Sequence, residues 1–206
     1  MAQPFLTEES KAALAEAVRA VESCSSAELV VAVRPRSGSY LHAALTAGIL
    51  AAWAALAVLL YSRWTFGLIW FLVDPVVVGA LAGFAASRSD LVRRVLTRRS
   101  ARRQRVETAA RATFVARRIH GTSGRTGILL YISVLEREAV MVVDVGVEAL
   151  AATDAWRKAA GEIEAVVRAG EDGRAVAERV RGLAEILSPA LARSAADVDE
   201  LANEVC

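Results

Sequence analysis

The sequence predicts a small α/β domain, an α/β/α sandwich of three or four strands with helices on both faces, interrupted by a transmembrane helical hairpin. Three observations carry this expectation. Residues 41–61 and 65–86 form two long apolar runs, the first without Asp, Glu, Lys or Arg and the second with Asp74 as its only ionisable residue. About 20 apolar residues of helix cross a bilayer core. Residues 27–35, 128–134 and 139–147 are short β-branched apolar runs, one before and two after that pair. Composition agrees: 55% hydrophobic residues and a mean hydropathy of +0.38 exceed an ordinary soluble domain, while 23% charged residues exceed a pure membrane bundle.

The chain opens on "MAQPFLTEESKAALAEAV", which lacks the apolar core of a signal peptide. It reads as an amphipathic helix with Leu14, Val18 and Val21 on one face and Thr7 as its N-cap. The strand at 27–35 follows. The first apolar run ends at "YSRW", a short turn around Ser62 and Arg63 flanked by Tyr61 and Trp64, rings that favour the membrane interface. In the second run Gly79 and Gly83 have the small-xxx-small spacing that lets helices approach closely. Asp74 sits near mid-bilayer, where a charged carboxylate costs roughly 2.5–3.5 kcal/mol on insertion scales. Pro75 removes an N–H and frees the carbonyl of Phe71, one turn earlier. Trp53 lies at a similar depth on the first run, with an indole N–H that could reach Asp74. Two readings follow for Asp74: polar glue between helices or subunits, or a proton relay.

Residues 88–118 hold eleven arginines against Asp90 and Glu107, a local excess of nine positive charges in a chain whose net charge is +2. Such a block predicts a basic juxtamembrane helix over 88–120. Arg88, Arg93, Arg94, Arg98, Arg99, Arg102, Arg103 and Arg105 would face anionic lipid headgroups, each worth about 1 kcal/mol near the surface. With Arg34 and Arg36 before the first run and only Arg63 in the turn, the positive-inside rule places both termini and the globular domain in the cytoplasm, at the inner membrane. No aromatic platform interleaves the arginines, which argues against nucleic acid.

Beyond the block, "HGTSGRTG" reads as a loop, and the strands at 128–134 and 139–147 form a hairpin through "LERE". Near-continuous apolar strands call for helices on both faces, and residues 154–169 and 173–187 supply them, with Trp156, Ile163 and Val167 as the apolar stripe of the first. Residues 192–206 read as a polar tail. One strand before residue 40 and two after 127 cannot each form a sheet. The segments 1–40 and 121–191 therefore make one domain, and the hairpin over 41–87 with the basic helix is an insertion in it. Cys24 and Cys206 are too far apart and too few for a disulfide framework, and read as free thiols of a reducing compartment.

Taken together, "SSAELVVAVRP", "GRTGILLYISVLEREAVMVVDVGVE" and the closing "LSPAL" with "DVDELANEV" resemble the TPM domain family, named for thylakoid, photosystem-associated and nematode members. The subgroup with two inserted spans resembles bacterial membrane proteins. The resemblance implies the α/β/α sandwich, and plant relatives are linked with acid phosphatase activity and photosystem repair. Ala27 stands where members carry glycine in a Ser/Thr-Gly-Glu motif, and Asp144 stands where many members are glycine-rich.

Catalytic signatures are weak. The glycine-rich stretch 121–127 precedes a strand and lacks lysine, so it reads as a turn instead of a phosphate-binding loop. His42 and His120 have no zinc-site spacing. The best candidates are Glu28, opening the first strand, and Asp144, inside an apolar strand. Converging at one end of the sheet, they could bind a divalent cation through oxygen and hydrolyse phosphate esters, with Arg125 or Arg137 on the phosphate. The alternative is structural: Asp144 pairs with an arginine or caps a loop, and Glu28 is solvated. Glu136, Arg137 and Glu138 read as an exposed charged turn. The expected function is a cytoplasm-facing binding or assembly module of a membrane complex, with the hairpin as its anchor and as a site for self-association. The alternative is a metal-dependent phosphatase.

Overall fold

A computed structural model describes residues 7–193, so the predicted tail from 194 onward lies outside the described residues. The chain divides into two compact units. One is built from the segments up to Ser37 and from Arg103 onward, and the other spans Gly38–Arg102.

The first unit is a mixed α/β structure around three strands. Helix α1 (Glu8–Cys24) starts where expected: the Thr7 hydroxyl accepts from the Ser10 amide at 3.2 Å, and Glu8 and Glu9 occupy the first turn, where carboxylates favour the helix dipole. Strand β1 (Glu28–Arg34) pairs in parallel with β2 (Gly127–Ser133), Glu28 opposite Gly127 and Arg34 opposite Ser133. Strand β3 (Glu138–Val143) pairs antiparallel with β2, giving the order β1-β2-β3. The sheet therefore joins strands from both sides of the insertion.

Side-chain alternation sends each strand's residues into two separate clusters. Leu29, Val31, Val33, Ile128, Leu130 and Ile132 pack with residues of α1, α7 (Asp154–Ala169), α8 (Gly173–Arg181) and α9 (Leu183–Ala190). Val30, Ala32, Leu129 and Tyr131 pack with Val106, Ala110 and Phe114 of α5 (Arg99–Ala116) and with Ile119 in the short turn behind it. The backbone of Ile119 lies so close to Gly127 that a Cβ there would overlap its carbonyl oxygen.

Three expected elements differ. The third strand stops at Val143 because Asp144 turns its carboxylate to the Val145 amide at 2.8 Å and N-caps α6 (Val145–Ala151). The helix expected over 173–187 breaks at Gly182, the poorest helix former there apart from proline, into α8 and α9. The basic helix breaks between α4 (Asp90–Val95) and α5, where buried Thr97 meets His42 Nε2 at 3.1 Å.

In the second unit α2 (Leu41–Tyr61) and α3 (Leu68–Arg88) are both long and apolar enough to cross a membrane. They are joined by residues 62–67, so the second helix begins three residues later than expected. Glycines set their contact. A Cβ on Gly48 would lie 2.8 Å from the Gly79 carbonyl oxygen, and one on Gly83 would lie 3.1 Å from that of Ala44. Large side chains point outward instead: Leu45, Ile49, Leu72, Leu81 and Phe84 are exposed.

Gly127→Ala is expected to destabilise the α/β unit by about 1–3 kcal/mol or more, because backbone rather than a flexible side chain must yield. Denaturant unfolding of the purified chain measures this, with Gly121→Ala, whose Cβ would meet only the Arg118 Cβ at 3.9 Å, as a control of little effect.

Candidate functional site

Glu28 and Asp144 do reach the same end of the sheet, but on opposite sides of Gly127. Glu28 is Gly127's partner in the β1 register, and the Asp144 amide donates to the Gly127 carbonyl at 2.9 Å from the β3 side. Two strand spacings, about 9–10 Å, separate them. The Ile119 backbone stands against Gly127 in that interval. Among the described residues no group of three or more His, Cys, Asp or Glu could hold a metal ion.

Each group is already engaged. Asp144 is 4% exposed; Arg125 Nε lies 2.9 Å from its Oδ2, and Nη2 donates to Oδ1 at 3.0 Å. Arg125 takes a left-handed φ of 53° to present that fork, and its carbonyl accepts from the Gly146 amide at 2.9 Å. Gly146 admits this approach because a Cβ would lie 2.6 Å from the same oxygen. The 122–127 loop thus clamps onto the start of α6, so the structural alternative foreseen for Asp144 describes its contacts. Glu28 is buried, not solvated. Beside it Glu22, at the end of α1, accepts the outward Leu29 amide at 3.1 Å and seals the start of the β1 edge.

Of the charged turn only Arg137 is exposed: Glu136 and Glu138 are each 2% accessible. Glu136 folds back into a polar cluster at the other end of β1 and β2. It accepts from the Ser37 amide at 3.0 Å and from the Ser133 hydroxyl, while Ser37 Oγ donates to Ser133 Oγ at 2.6 Å and lies 3.2 Å from the Tyr131 hydroxyl. Arg137 is the residue whose left-handed φ of 51° closes the turn, and its guanidinium lies against Gly170 at the end of α7. No single-residue signal marks this cluster, because its partners come from both sides of the insertion.

Glu138 lies 3.8 Å from Arg103 and 3.9 Å from Arg168. Arg103 also meets Glu164 at 2.7 Å and Glu107 at 3.1 Å. Burial opposes the Arg103 charge, but these two carboxylates outweigh it and hold its pKa above the ordinary value. Beside this group a cavity of about 340 Å³ opens between β3 and α7, lined by Leu130, Met141, Trp156, Ile163, Arg103 and Glu164 among others.

Of the arginines assigned to headgroups, Arg88, Arg98 and Arg99 are exposed, Arg88 lying 4.8 Å over Phe84. Arg93 binds Asp90 at 3.1 Å, and Arg102 donates to the Arg94 carbonyl at 2.7 Å. Arg103 belongs to the carboxylate group above. In α3, Pro75 is accommodated within the helix, and Asp74 makes no hydrogen bond or ion pair among the described residues. Trp53 is 67% exposed and does not reach it. At about 100° per residue, Asp74 lies roughly 140° around α3 from Gly79, and Trp53 is similarly displaced on α2 from Gly48. Both point away from the glycine seam.

No protein-family model matches the chain, and no curated protein does. Among solved structures, the NMR structure of BA42 protein from the psychrophilic bacterium Bizionia argentinensis is similar, with a TM-score of 0.60 at 16% identity, covering 100% of this chain and 97% of that one. At that identity the likeness is one of fold.

Arg125→Ala is expected to destabilise the protein by about 1–3 kcal/mol, since it leaves a buried carboxylate short of a partner. Asp144→Asn keeps an N-cap oxygen and should cost less than Asp144→Ala, which loses about 1 kcal/mol of capping as well. Denaturation midpoints of the three variants check this order.

Proposed function

We propose that the chain is a membrane-anchored, TPM-like α/β/α sandwich that serves as a cytoplasm-facing binding or assembly module of a membrane complex. The carrying observation is the second unit: two 21-residue apolar helices with their large side chains outward and their glycines inward. Lipid is the environment that suits such an arrangement, since helices in bilayers associate through small residues. The arginines around and after α3 support a cytoplasmic placement of both flanks at the inner membrane. Strands drawn from both sides of the hairpin support the reading of an anchor inserted in one domain. Asp74, with apolar surroundings on its helix and no partner among the described residues, supports a polar contact with a neighbouring transmembrane helix.

The metal-dependent phosphatase reading has less behind it. Glu28 and Asp144 lie apart, and Asp144 is ion-paired with Arg125. Among the described residues no group of three His, Cys, Asp or Glu gathers around either of them.

Topology is the direct test. In a chain with Cys24 and Cys206 replaced by serine, Arg63→Cys should react with a membrane-impermeant maleimide in intact spheroplasts. Ser123→Cys, on the exposed loop of the α/β unit, should react only after permeabilisation. Labelling of both positions in intact spheroplasts, or of neither, would reject the anchored arrangement.

A further inference from the structure

The two edges of the sheet are finished differently. The Asp144 amide bonds Gly127, which sets the phase of the antiparallel ladder. Residues 138, 140 and 142 then turn their backbone groups to β2, and Ala139, Met141 and Val143 turn theirs away. None of those outward amides and carbonyls has a hydrogen-bond partner among the described residues. Met141 and Val143 are half-exposed and Ala139 is buried, whereas β1 is buried along its whole length up to Val33. No lysine, proline or bulge interrupts "AVMVV", the devices that normally protect such an edge.

Helix α7 runs beside this edge and carries a self-complementary surface. Its cavity side presents Arg157, Ala160, Gly161 and Glu164. Gly161 is unfavourable in a helix interior, yet a Cβ there would meet nothing within 4 Å among the described residues. Arg157 and Glu164 are placed evenly about the Ala160–Gly161 pair with opposite charge. A two-fold axis through that point sets Arg157 of each copy opposite Glu164 of the other, with the small pair at the crossing. An axis perpendicular to the sheet near Val142 would run β3 antiparallel to its counterpart and set Met141 of each copy opposite Val143 of the other.

We propose that a second copy of this chain pairs along the open β3 edge, joining two three-stranded sheets into one six-stranded sheet with the two α7 helices packed at Gly161. The outward amides and carbonyls of Met141 and Val143 exchange hydrogen bonds across the axis, while Ala139 stays buried at 6% exposure. Side chains of the second β3 fill the cavity beside Trp156 and Met141. Glu164 already accepts from Arg103 and Arg168, and Arg157 already pairs with Asp154 at 2.5 Å, but a carboxylate has room for a further donor and a guanidinium has further N–H groups to give. The interface lies wholly within the α/β unit and does not depend on the reading of the hairpin as a membrane anchor.

The test is the mass of the full chain in mild detergent, followed by light scattering over a concentration series. Wild type should be a dimer. Met141→Pro removes an amide that points away from β2, so the internal ladder survives. Gly161→Leu adds bulk where the monomer has space. Each should raise the dimer dissociation constant roughly tenfold or more, the scale of one or two lost backbone hydrogen bonds. Unchanged far-UV circular dichroism certifies folding, and Gly161→Leu decides alone if Met141→Pro misfolds. Asp74→Asn should leave the dimer intact. A monomeric wild type, a dimer indifferent to both variants, or a dimer lost only in Asp74→Asn would overturn the proposal.

Discussion

The parallel ladder between β1 and β2 is the contact on which the α/β unit depends. Parallel strands need a crossover between them, and here the crossover contains a complete second unit and then α5. Closing so long a connection costs only slightly more than closing a short one, because loop entropy rises with the logarithm of length. What makes the closure specific is the fit at its end. Val106, Ala110 and Phe114 of α5 seat on the sheet beside Val30, Leu129 and Tyr131, and Ile119 seats against Gly127, which starts β2 in register with Glu28.

Buried acids secure the margins of that sheet. Glu22 holds a β1 amide, Asp144 stops β3 and starts α6, Glu136 anchors the hairpin turn to Ser37 and Ser133, and Glu138 lies between Arg103 and Arg168. Burying a carboxylate is costly unless it is paired or hydrogen-bonded. In each case the partner comes from another element, so the charges that invite a catalytic reading also tie the sheet to its surroundings. The outer edge of β3 has no such acid along Ala139–Val143.

The helical pair obeys the opposite rule. Its interior is made of Gly48, Gly79, Gly83 and Ala44, and its exterior of leucine, isoleucine and aromatic rings. A glycine seam allows backbones to touch and gains dispersion contact without burying large side chains. Asp74 and Trp53, which counting along the helices places at similar depth, are separated by rotation about two different axes.

Periodicity and composition are local properties, and they determined the local elements: the helix behind Thr7, the apolar helix of residues 41–61, the helix of residues 154–169, the three strands to within a few residues, and the need to join segments across the hairpin. Hydrophobic patterning repeats within a few residues, so one chain carries it without reference to its fold. The fate of each charge was not legible in the same way. "LERE" resembles a solvated turn until Ser37, Ser133 and Arg103 are brought to it, and "VVDVGV" resembles an uninterrupted strand until Arg125 meets Asp144 and Gly146 admits the 122–127 loop. Whether a carboxylate is exposed, caps a helix or joins an ion pair depends on partners far away in sequence, and those partners exist only after β1 and β2 have paired.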